Sequence, residues 1–296
     1  MTSTHDDRPG DAPATTAGGA ATPRRTGWSP TRTVALVAAL ALGVPAAAYG
    51  GMWWLLAPRP VVTTVTGPDG RTVDLDWSEH PGQAGTSVDE VLSAPSLDEG
   101  VAGGEALVAE VKAVVTDRAG LTWGAPPAVQ VEQGTVFPVE NGWGGPSLLR
   151  TVNLPAEQTT SVPRSWTEKQ AVIDLVGEAA ARHGWSEPVL DEDRWPRPEA
   201  ERVRDLGGAT PPEQVLVAGT VTGPHGQWLA FTFTDPSKAD GPAADRWSPP
   251  ADAGWEPESF TLAYGANGLL PAADRADFER RAVPFAGQPL PEAQED

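Results

Sequence analysis

Apolar residues along the chain follow two different periods, and the switches between them lay out its elements. Between 105 and 118, Leu107, Val108, Val111, Val114 and Val115 recur at helical spacing and Gly120 follows, which predicts an amphipathic helix ended by a glycine. Between 168 and 183, Ala171, Val172, Leu175, Val176 and Ala179 form a second stripe. Thr167, with Gln170 three residues on, reads as its capping box and Gly184 as its stop. Both helices run into a tryptophan and then a proline, GLTWGAP at 120–126 and GWSEP at 184–188.

Elsewhere the period is two. Residues 64–77 read TVTGPDGRTVDLDW and 220–233 read TVTGPHGQWLAFTF. Each places Thr-Val-Thr-Gly-Pro-x-Gly before an alternating run, which predicts two β-hairpins. The proline presets φ for the second position of a type I turn, and Gly70 or Gly226 supplies the left-handed residue that closes a bulge. In the first hairpin Val73, Leu75 and Trp77 oppose Thr72, Asp74 and Asp76, a half-exposed pattern. In the second, Leu229, Phe231 and Phe233 share a face, as do Val215, Val217 and Val221 before it, so this hairpin is expected at the centre of a sheet. Further strands are expected at 128–132, 147–154 and 259–264, and a short helix near 272–281. Residues 78–100, 186–212 and 236–258 read as loops. The order predicts an α+β domain over 58–283, mainly antiparallel sheet with about two helices packed on it. The paired hairpins and the similar helix exits fit either an internal duplication or one turn solution used twice.

Charge adds a topology. No charged residue occurs from 33 to 57. At ~1.5 Å per residue that helix is roughly 37 Å long, enough for a hydrocarbon core of about 30 Å. Arg24, Arg25 and Arg32 precede it and only Arg59 follows closely, so the positive-inside rule puts the N-terminus in the cytoplasm. Arg32 then marks the inner interface, and Trp53 and Trp54 the outer one. A cleaved signal peptide is the competing reading: 34–44 is the apolar region, Pro45 ends it, and Ala46, Ala47 and Ala48 fit the cleavage rule. The long segment before it, and an apolar run that continues through Trp53, Trp54, Leu55 and Leu56, favour a retained transmembrane helix. The expectation is a single-pass protein of the cell membrane with an extracytoplasmic domain. Residues 1–32 read as a disordered cytoplasmic tail and 284–296 as a disordered acidic one.

Beyond residue 57 the chain holds 17 basic and 37 acidic residues, what remains of 21 and 40 once the four Arg and three Asp before residue 33 are removed. A surface that acidic repels phosphate backbones, which argues against a nucleic-acid partner. The absence of cysteine excludes disulfides, thiolate metal sites and a cysteine nucleophile. Phosphate-cradling glycine loops, GxSxG, HExxH and calcium-loop motifs are missing, so no cofactor is expected.

The candidate site residues are few. Asp191 and Asp193 lie in a compact acidic run that suits Ca²⁺ or, equally simply, a solvated face. DRWPRP at 193–198 and DRWSPP at 245–250 set Trp195 and Trp247 beside Arg194 and Arg246. Such rings suit a platform for a sugar or an extended peptide, or fold back as lids over the core. His225 sits at a hairpin tip, as a ligand contact or a plain turn residue, and His80 precedes Pro81 without an evident partner. Together these features predict a non-enzymatic, membrane-tethered domain that binds a glycan or protein of the cell envelope. The alternative is an envelope hydrolase using carboxylates, with or without Ca²⁺.

Overall fold

Alternating apolar residues build one main sheet, and the two apolar helical stripes cover one face of it. The computed structural model describes residues 61–66, 70–133, 135–239 and 253–294. The first hairpin, β1 (Val62–Thr66) and β2 (Thr72–Asp76), forms a two-stranded sheet of its own. The main sheet contains β3 (Val136–Glu140), β4 (Pro146–Asn153), β5 (Glu157–Gln158), β6 (Val189–Leu190), β7 (Leu216–Thr222), β8 (Gln227–Thr234) and β9 (Ser259–Leu269). Its order is β3-β4-β9-β8-β7-β6, with β5 also pairing β9, and every pairing is antiparallel. The second hairpin is therefore central, as its apolar face implies, and the two hairpins do not share a sheet.

The helices are α1 (Val88–Ser93), α2 (Leu97–Ala119), α3 (Ala128–Gln133), α4 (Trp166–Arg182), α5 (Asp191–Arg194), α6 (Glu199–Leu206) and α7 (Arg275–Ala282). Long α2 and α4 pack together over the sheet. Leu107, Val111, Val172, Leu175 and Val176 meet Phe231, Phe233, Phe260, Leu262 and Tyr264 in one apolar core. Ion pairs Arg118–Glu178 and Arg182–Glu110 tie the helices at their solvent side.

Several expectations shift. Helix α2 begins eight residues before the predicted start, at a capping box made by Ser96 and Glu99. Its first turns contain Gly100, Gly103 and Gly104, which weaken any helical pattern in sequence. Two of these glycines are required by packing: a Cβ on Gly100 would lie 2.4 Å from Leu269, and one on Gly104 would lie 2.2 Å from the Tyr264 ring. Helix α4 is capped by Ser165 and Glu168 rather than by Thr167 and Gln170. Residues 128–132, expected as a strand, are helical, because the Pro127 carbonyl accepts from Gln130 N–H and starts a turn. Strand β3 went unread, and so did the short elements inside the supposed loops. At the tip of β7–β8 Gly226 is left-handed (φ 73°) as expected, but so is His225 (φ 54°), so the turn from Pro224 to Gln227 is not type I; Gly223 N–H donates to the Gln227 carbonyl (2.9 Å) and closes the loop 224–226.

The stretch after 283 is not free over its described part. Phe285 is buried, Trp143 Nε1 donates to the Pro291 carbonyl (3.3 Å), and Gln294 N–H donates to the Gly142 carbonyl (2.9 Å). The first hairpin docks nearby, through Trp77, Trp143 and Phe285. Asn141, fully buried, organises the junction. Its Nδ2 donates to the carbonyls of Trp77, Ser78 and His80, and its Oδ1 accepts from the N–H groups of Trp143 and Gly145.

The span expected at 33–57, with its interface residues Arg32, Trp53 and Trp54, lies outside the described residues. Among those described, no helix is long and apolar enough to cross a membrane.

Candidate functional site

Helices α2 and α4 cover one face of the main sheet, and the opposite face carries the outward residues of its central strands. Strand alternation and register decide which residues lie there. Leu229, Phe231 and Phe233 of β8 point into the core, so Trp228, Ala230, Thr232 and Thr234 point away from it. In β9 the outward set is Thr261, Ala263, Gly265 and Asn267, and in β7 it is Leu216, Ala218, Thr220 and Thr222. Their pairings place them in rows: Ala218, Thr232 and Thr261 across one line, Thr222, Trp228 and Gly265 across another. None of these residues is charged, although the chain carries a net charge of −19.

The face is small-residued and polar. A Cβ on Gly265 would lie 2.1 Å from Trp228 Cζ2 and 2.9 Å from Asn153 Oδ1, so the half-buried indole rests directly over the glycine with the Asn153 amide beside it. Thr232, Thr220 and Thr261 present hydroxyls between alanines and remain partly exposed. Toward the Ser259 end the platform stops, where Gln158 Nε2 donates to the carbonyls of Ala125 (2.7 Å) and Gly254 (2.9 Å).

Short α5 lies along the opposite margin, beside β6 and β7. It carries Asp191, whose side chain meets the Thr220 hydroxyl and whose Oδ1 is buried without a hydrogen-bond partner. Burial pushes the Asp191 carboxyl above its ordinary range, against the opposing charges of Arg194 and Arg197. Glu192 anchors the helix by accepting from Gln214 Nε2 at 2.6 Å, with Arg202 Nε 3.6 Å away. Trp195 stands 56% exposed at the end of α5, with the Arg194 guanidinium 5.4 Å from its ring centre.

The expected residues are thus only partly assembled. Asp191, Arg194 and Trp195 flank the open face. His225 occupies the β7–β8 tip, in a left-handed backbone conformation (φ 54°). Trp247 and Arg246 lie outside the described residues, so no platform shared by the two tryptophans is drawn. For Asp191 and Asp193 as Ca²⁺ ligands, no group of three or more histidine, aspartate or glutamate residues among the described ones is placed to hold a metal ion. Asp191 is hemmed by arginine charge, an environment that opposes a cation.

Trp228 and the threonine rows were missed as a site. The signal was present in TVTGPHGQWLAFTF, whose second phase, Trp228, Ala230, Thr232, is as free of charge as its core phase. Two buried polar clusters elsewhere were also unread. Lys169 (1% exposed) donates to Asp235 at 3.0 Å, and Asp235 also accepts from Arg164 (2.8 Å) and Ser237 (2.5 Å). His80 is enclosed by Trp77, Trp143 and Phe285, ring centres 4.9–5.5 Å away, and accepts at Nδ1 from Gly82 N–H (3.0 Å). Both bind chain segments together and neither opens toward the sheet face. The chain matches no known family model, no curated protein and no solved structure.

Proposed function

We propose that this chain is a single-pass, membrane-anchored extracytoplasmic domain that works by binding rather than by catalysis, and that its partner in the envelope lies on the open sheet face. One observation carries the reading: the outward face of three central strands, partly exposed along Thr220, Trp228, Thr232 and Thr261 and buried at Ala263 and Gly265, bears no charged side chain in a chain of net charge −19. The solvated face of an antiparallel sheet is ordinarily polar, and here its polar residues are all uncharged. Threonine, alanine and glycine keep the face flat and let a partner approach closely. The uncharged run at 33–57 behind three arginines supports the tether.

The test uses the full-length protein expressed in a bacterial host. Intact mass of the membrane fraction is expected to include residues 1–57, and the purified protein is expected to be retained on isolated cell-envelope material. Thr232→Arg, which plants a long cation in the middle row, should cut that retention at least tenfold without moving the melting temperature by more than a few degrees. Undiminished retention by the variant would remove the face from consideration.

A second reading, the carboxylate hydrolase, draws on Asp191 alone. A carboxyl raised by burial at the margin of an open face is the form a general acid takes. Turnover of envelope polysaccharide that disappears in Asp191→Asn would put this reading first.

A further inference from the structure

Resting on that reading of the sheet face, we infer that its ligand is a neutral saccharide chain. Charge decides first. The strand residues from Thr220 to Gly265 carry no charge of their own; charge enters only at the α5 margin, where the Asp191 carboxyl meets Thr220 and is opposed by Arg194 and Arg197, and the acidic domain around them repels anions before contact. Hydrogen-bonding chemistry decides next. Backbone groups of β7, β8 and β9 are engaged in continuous ladders, so an extended peptide has no free strand edge to join on this face. Thr220 is engaged by Asp191 and Thr222 by Ser186 (3.0 Å), so what remains are the Thr232 and Thr261 hydroxyls and the Asn153 amide, groups that both donate and accept and therefore match a ligand made of hydroxyls.

The edge of the sheet points the same way. On β3, the Thr135 carbonyl accepts from Asn153 N–H, which fixes the pairing phase and turns the backbone nitrogen position of Pro138 outward. A proline there has no N–H to offer, so the outer edge is blunted against strand addition.

Size and shape complete the argument. Three strands about 4.8 Å apart, with outward residues about 6.7 Å apart along each, give a platform of roughly 300–400 Å². A stable protein partner or a second copy of the chain needs about 800 Å² on each side, so the platform is too small for either. Trp228, resting over Gly265, supplies an apolar plate for the hydrogen-bearing face of a sugar ring. Exposed Trp195, at the α5 margin, offers a second ring to a chain long enough to cross the face.

The experiment titrates the full-length protein, in mild detergent, with three neutral hexasaccharides (cellohexaose, maltohexaose and chitohexaose) and with hexagalacturonate as the anionic control, by calorimetry and tryptophan fluorescence. At least one neutral hexasaccharide is expected to bind with Kd below about 1 mM, with no binding of the control. Trp228→Ala should weaken that binding at least tenfold, and Thr232→Arg, which leaves the Trp228 packing intact, should abolish it. Failure of all three neutral sugars, with envelope retention still sensitive to Thr232→Arg, overturns the saccharide while leaving the binding face standing. A dimer in sedimentation that Thr232→Arg dissolves overturns it in favour of a second copy. Insensitivity of both sugar binding and retention to Thr232→Arg would bring down the inference and the reading beneath it together.

Discussion

Acidification should expose the cost of burying His80, and the size of that cost follows from its surroundings. Burial lowers its pKa from 6.5 to about 4, outweighing an opposing influence of the hydrogen bond with Gly82, and the charge of Arg281 adds a smaller depression. The sign follows from linkage. In the unfolded chain the imidazole takes up its proton near pH 6.5, whereas the folded protein resists until about pH 4. The stability tied to this group is therefore complete above pH 6.5 and is lost as the pH falls toward 4. Full titration across that gap corresponds to about 3 kcal/mol, and at pH 4.5 the loss is already about 2.5 kcal/mol. Other groups titrate in the same window. Asp235 and Glu110 lie below their ordinary values and lose stability on acidification, while Asp191, raised by burial, gains it. The perturbation must therefore be differential. His80→Asn keeps an acceptor for Gly82 N–H and removes the proton site, at a packing cost that does not depend on pH. Urea unfolding of the full chain, followed by tryptophan fluorescence at pH 7.5 and 4.5, should show the native protein losing about 2.5 kcal/mol more than the variant. Equal losses in the two proteins would show that His80 is not held neutral by its aromatic enclosure.

Two further perturbations test how the fold is held. Asp235→Ala should destabilise by about 3–5 kcal/mol, because it strands Lys169 in the interior, whereas Lys169→Met should cost less since Arg164 and Ser237 still bond the carboxylate; equal costs in thermal unfolding would refute that sharing. Asn141→Leu should cost about 3–5 kcal/mol, because it leaves buried backbone groups of 77–80 and 143–145 unpaired, and a loss below about 1 kcal/mol would show the junction is held by its aromatic rings alone.

How much was legible in sequence depends on whether a signal was local. The central hairpin and the stripe of α4 are local patterns, and both stand where alternation and helical spacing put them. Three Ser-x-x-Glu capping boxes, at Ser87, Ser96 and Ser165, were equally local and went unused. Reading them would have started α2 at the right turn despite its glycines. By contrast, the reason for Gly100 and Gly104 lies in Leu269 and Tyr264, more than 150 residues away, and no window along the chain contains it. The same holds for His80, whose partners come from 77, 143 and 285, and for Lys169 with Asp235. The candidate site failed for a different reason. Tryptophan beside arginine and proline drew attention to Trp195 and Trp247, while an uncharged polar phase in a strand looks ordinary until the sheet shows which face is left bare.

Strand β9 links that bare face to the core. It pairs with β4, β5 and β8, and its adjacent residues Tyr264 and Gly265 receive close approaches from opposite sides. On the core side, Tyr264 lies against Gly104 and its hydroxyl donates to the Gly100 carbonyl at 2.8 Å. Burial lifts this phenol to about 12, so it remains a donor throughout the physiological range. On the outer side, Trp228 settles onto Gly265 because no side chain intervenes. The height of the indole above the sheet is thus fixed by a glycine on a strand whose own position is fixed by α2. A plate held that way would lose little freedom under the proposed ligand, so binding there would draw on preorganisation rather than on contact area. A side chain introduced at Gly265 would lift the ring while leaving Tyr264 in place, separating the geometry of the face from the stability of the core.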